Sequence, residues 1–95
     1  MVVGVLHLEL ILHQCQSLKD KRSVMRKVQS RVRQGFEVSV AEVGSQDLWQ
    51  HGEIGVVTIG VDRNLINQVL DRVLNFVDSL GLAEVVNHQI EIINL

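Results

Sequence analysis

Ser17–Arg33, SLKDKRSVMRKVQSRVR, decides how the rest of the chain folds. Wound as a helix at about 100° per residue, it places Val24, Met25, Val28 and Val32 in one arc, the spacing of a buried stripe. Lys19, Arg22, Arg26 and Arg33 fall in an arc of about 60° roughly opposite. Lys27 and Arg31 flank that arc. Lys21 lands beside the apolar stripe, where its stem is expected to lie along the core while its ammonium reaches water. Ser17 is a good N-cap with Asp20 three residues on, a capping box with a shorter acid. Gly35 is predicted to stop the helix as a left-handed residue.

The stretch also sets the charge distribution. It holds seven of the nine Lys and Arg residues and a single acid, so a segment of about +6 sits in a chain whose formal net charge is −2. Lys19, Lys21 and Arg22 occupy the first turns, where the helix macrodipole disfavours cations and free N–H groups suit phosphate. A solvated surface face is the other reading of such an arc.

Outward from this helix the pattern is regular. Val2–Leu12 alternates as a strand, with Leu6, Leu8 and Leu10 facing the core and Val3, Val5, His7, Glu9 and Ile11 facing away. Phe36–Val43 and Glu53–Val61 read as two further strands, the last apolar on both sides. The loop between them, Gly44–Gly52, holds the only tryptophan. Asp62 caps a second helix running to about Leu80, with half its surface apolar and Gly81 as its stop. Ala83–Ile93 is the last strand, with Val86, Ile90 and Ile92 on one face. The order β-α-β-β-α-β, with right-handed crossovers, gives a ferredoxin-like α+β fold. Four antiparallel strands run in spatial order 4-1-3-2, with both helices on one face. The other face is left open, and its apolar residues suit a second subunit, so a homodimer through that face or a sheet edge is expected.

Ninety-five residues make one domain, 1–95. The single cysteine, Cys15, excludes an internal disulfide and fits a reducing cytoplasm. The apolar start, residues 1–12, carries His7 and Glu9 and is too short to span a bilayer, so no membrane association is expected.

At Ser17-Leu18-Lys19, Lys21-Arg22, Val38–Val43 and Gln46–Gln50 the chain resembles the YlxP-like family of small bacterial proteins. The likeness covers essentially the whole length. It implies a ferredoxin-like fold and, for some members, a gene placed among translation and ribosome-maturation factors. It brings no catalytic residues to carry over. The loop departs from a common family form in having Gly44-Ser45 before Gln46 and Gly52 after His51.

The polar constellations are sparse. His13 and Cys15 lie two apart, and neither CxxC nor HxxxH occurs, so no metal site and no cofactor are expected. Phosphate-binding glycine motifs are absent, and the few aromatics, Phe36, Trp49 and Phe76, do not form the stacking platform of an RRM. The phosphate loop of an acylphosphatase would need an arginine where His13–Gln16 offers none. Asp47, Trp49 and His51 form a loop contact candidate, with Trp49 able to stack on a base. The expected function is a non-enzymatic RNA- or ribosome-associated module contacting phosphates through Lys19, Arg22, Arg26, Lys27 and Arg33. The alternatives are a homodimeric interaction or regulatory domain and a small enzyme using Glu42, Asp47 and His51.

Overall fold

A computed structural model describes residues 1–95. The elements are β1 (Val2–Ile11), α1 (Leu18–Gly35), β2 (Ser39–Gly44), β3 (His51–Gly60), α2 (Arg63–Ser79) and β4 (Glu84–Asn94). All strand pairs are antiparallel and the sheet runs β2-β3-β1-β4, which is the expected 4-1-3-2 order read from the other edge.

The strict alternation of β1 buries Leu6, Leu8 and Leu10 completely against the helices. The register pairs Leu6 with Val56 and Leu8 with Ile54, so the even-numbered residues of β3 share the core face and its ambiguous phase is settled. Met25, Val28 and Val32 of α1 and Ile66, Leu70, Val73 and Val77 of α2 close the layer from above. Each such side chain contributes about 1.5–3 kcal/mol by leaving water. Gly4 belongs to this interface: a Cβ there would collide with Ile66 and touch Leu70 at 3.0 Å. Gly4→Ala is expected to push α2 off β1 and cost about 1–3 kcal/mol in chemical denaturation.

Both helices start as their sequences ask. The Ser17 hydroxyl accepts from Asp20 N at 3.1 Å, and the Asp20 carboxylate accepts from Gln16 N at 3.1 Å, closing the box one residue earlier than the usual form. Asp62 accepts from Asn64 N at 2.8 Å and Leu65 N at 3.3 Å. Gly81, at φ +69°, is the left-handed stop after α2.

Three local expectations are corrected. Gly35 is not left-handed; it is the last residue of α1, and Phe36 follows in extended conformation with its N–H on the Val32 carbonyl. The Phe36 ring meets Phe76 edge-on at 5.4 Å, which holds that exit. In β4 the register shifts opposite Glu9 and Leu10, and Val86 is the extra residue. Val85 rather than Val86 therefore packs on the core with Ile90 and Ile92. A second shift in β2, between Glu42 and Gly44, makes Val43 the extra residue.

Candidate site where helix α1 meets the β2–β3 loop

The third correction concerns Lys21, and it organises the site. Its side chain does not reach water: the residue is 1 % exposed, the one charged group inside the core. The cause lies in β2. Val40 pairs with Val56 and Glu42 with Ile54, so Glu42 occupies the core face of the sheet, under α1. Its Oε2 lies 3.1 Å from Lys21 Nζ. The approach misses hydrogen-bond alignment, leaving that oxygen without a hydrogen bond, and the attraction is Coulombic. The Lys21 ammonium donates instead to the Ser45 carbonyl.

Ser45 is a node. Its φ of +58° is left-handed, uncommon for a residue with a side chain, and it aims the carbonyl at α1. Its hydroxyl donates to Glu53 Oε2 at 2.8 Å and lies 3.1 Å from His51 Nδ1. His7 Nε2 meets the other Glu53 oxygen at 3.0 Å. The Glu53 carboxylate packs against Gly44, where any Cβ would overlap it. First the Ser45 hydroxyl and then His7 hold the Glu53 carboxyl below the usual carboxylate range. A depressed carboxyl stabilises the fold above its unfolded pKa and loses that contribution as pH falls through the folded value. Ser45→Ala is expected to raise the Glu53 pKa toward its ordinary value, read by NMR titration of its side-chain carboxyl. An unmoved titration would mean that the hydroxyl does not hold it.

The loop is tied from the other side too. Gln50 Nε2 donates to the Cys15 carbonyl at 3.1 Å, and Leu12 N donates to the Gln50 carbonyl at 2.9 Å. Cys15 is buried, and its thiol is pushed up by that burial and by Asp20. Between these anchors Gln46, Asp47, Leu48 and Trp49 remain exposed. Lys21 and Glu42, with Arg22, Arg26, Gln46 and Asp47, line a cleft of about 450 Å³ between α1 and the loop. The two sequence blocks that carry the family likeness, around Lys21-Arg22 and around Gln46-Asp47, thus meet in space.

The remaining candidates divide. Lys19, Arg22, Arg26, Lys27, Arg31 and Arg33 are exposed on α1, and none has a carboxylate within ion-pair distance. Arg33 donates to the Val40 carbonyl at 2.8 Å and Arg26 Nε to the Arg22 carbonyl at 3.2 Å, so both are positioned without being neutralised. Trp49 is 52 % exposed and lines, with Ile11, Leu48 and His51, a second shallow cleft. Glu42 and Asp47 therefore share one cleft and His51 belongs to another, so the three do not gather as an acid–base set. Sequence reasoning missed Ser45, Glu53 and the inward role of Lys21. A signal for the last existed: a cation beside the apolar stripe of the helix and an acid in phase with Val38 and Val40.

Fold and site together define a small ferredoxin-like α+β domain with a one-sided cationic helix pinned to a polar loop. The chain belongs to the family described as "Protein of unknown function (DUF503)", whose model matches residues 3–90. It is 37 % identical over 83 residues to "Uncharacterized protein YlxP" of Bacillus subtilis (strain 168), covering 87 % of this chain and 90 % of that protein. Among solved structures it is similar to the de novo designed protein Foldit4, at a TM-score of 0.56 and 14 % identity, over 100 % of this chain and 99 % of the other. That likeness bears on the fold alone. No helix is long and apolar enough to cross a membrane.

Proposed function

We propose that this protein is a non-enzymatic binding module that docks the outward cations of α1 on the phosphates of structured RNA, with a ribosomal subunit or its precursor as the expected partner. One observation carries the reading. Six exposed cations line one helix with no carboxylate partner, while the seventh, Lys21, is neutralised inside the fold. Surface charges left unpaired in a molecule of net charge −2 cost little in water, and a row of them is worth far more against a polyanion. The gene setting implied by the resemblance favours ribosomal RNA, and the lone Cys15 fits the cytoplasm. The test is retention on ribosomal particles across a salt series. Binding that weakens as salt rises supports the reading; absence of binding at low salt overturns it.

The open sheet face supports a second function, self-association. Val3 lies between Ile59 and Ile93 in the register, with Val5 beside Val57, and Ile59 is 64 % exposed. A four-stranded face of this length offers roughly 600 Å² per copy by strand spacing and rise, close to the lower bound of a specific interface. A homodimer joined there would resist salt, in contrast to RNA docking, and a clean monomer in sedimentation would exclude it.

A further inference from the structure

The cleft between α1 and the β2–β3 loop has the volume of a small-ligand site, about 450 Å³, and Met25 is its one apolar lining residue. Its occupant must therefore be held by hydrogen bonds and charge. On its floor Lys21 and Glu42 answer each other. That leaves Arg22, Arg26 and Asp47 on its walls, none of them in an ion pair, together with the amides of Gln29 and Gln46. Two guanidinium forks ask for a phosphate. A free carboxylate, acceptor-only when ionised, asks for adjacent N–H donors.

We propose that this cleft holds one unpaired guanine nucleotide of the bound RNA, its phosphate on Arg22 and Arg26 and its base edge on Asp47. Guanine is the base whose Watson–Crick edge sets two N–H donors side by side, N1–H and the 2-amino group. Adenine, cytosine and uracil each place an acceptor where the second carboxylate oxygen needs a donor. The amides of Gln29 and Gln46 can donate to O6. Arg22 and Arg26 belong both to the outward row and to the cleft, so a strand following the helix passes its mouth. Unstacked bases of this kind are what sequence-selective RNA binding reads. The inference rests on the phosphate-docking role proposed above for α1.

The experiment uses the full chain and three short labelled uridine oligoribonucleotides carrying a central guanosine, inosine or adenosine. Fluorescence anisotropy is expected to show the guanosine strand bound at least about fivefold tighter than the adenosine strand. Inosine, which lacks the 2-amino group, should fall between. Asp47→Asn should abolish the guanosine preference, because an amide sets a donor beside its acceptor and pairs as well with adenine, and should keep the wild-type salt dependence; Asp47 is exposed, and a dispersed NMR spectrum would verify that the variant folds. GMP and AMP are titrated in parallel, with the backbone amides of Gln29, Gln46 and Asp47 expected to shift for GMP. Equal affinities in the wild type, or a preference that survives Asp47→Asn, overturn the guanine site and leave phosphate docking standing. GMP shifts without binding of any strand keep the cleft and overturn the docking role. Absence of both overturns the two together.

Discussion

Replacing Glu42 with alanine is expected to destabilise the fold by about 3 kcal/mol. The variant would leave the Lys21 ammonium, 1 % exposed, with only the Ser45 carbonyl for company. A buried charge stripped of its partner commonly costs about 3–5 kcal/mol, and the low end applies because Glu42 itself retains some contact with solvent. For a domain of this length the change would lower Tm by roughly 12–24 °C. The pair is not the source of the stability, however. Taking two charges out of water offsets most of their attraction, so Lys21→Met combined with Glu42→Leu should recover more than half of the loss. Chemical denaturation of the wild type, Glu42→Ala and the double variant measures this. A Glu42→Ala protein as stable as the wild type would show that Lys21 finds water without unfolding.

The second large effect is on binding. Lys19→Glu, Arg22→Glu and Arg26→Glu together reverse the narrow arc of α1. RNA affinity is expected to fall roughly a hundredfold or more at moderate salt, and the slope of log affinity against log salt should flatten by about two. Arg33 is left in place because its guanidinium holds the Val40 carbonyl, so its loss would mix folding with binding. The three changed residues make no contact with the core. An acid at position 19 suits the macrodipole of the first turn, whereas acids at 22 and 26 face Glu42 and Asp47 across the cleft, so a denaturation curve of the variant accompanies the binding measurement. Undiminished retention on ribosomal particles would remove the α1 face from the interface.

The architecture was legible because its signals were redundant. Leu6, Leu8 and Leu10 alternate in one strand, the stripe of α1 has its own period, and Asp62 and Gly81 bracket α2. Each agrees with the others, as a foldable sequence requires. The failures were of another kind. Alternation alone puts Val86 on the core face, but a bulge inserts one residue there, and nothing local marks it. Gly35 needs no left-handed conformation, since this helix ends where Phe36 turns away to pack on Phe76. The usual behaviour of lysine points Lys21 outward, whereas the deciding fact is an acid 21 residues away on a facing strand. The basic row was legible as a stripe. The meeting of its flank with Gln46 and Asp47 was not, because it depends on a left-handed serine in the loop.

That serine does its two jobs with different atoms. The inner tie, to Lys21, uses a main-chain oxygen that every amino acid has; the outer one, to Glu53, uses a hydroxyl that few have. Substitution at position 45 can therefore release the outer acid while the lysine keeps its acceptor, provided the newcomer accepts a positive φ, as Gly, Asn and Asp do. The inner anchor is thus indifferent to side-chain identity at position 45 as long as the main chain keeps its turn, whereas the tie on the far side of the sheet stands or falls with the hydroxyl.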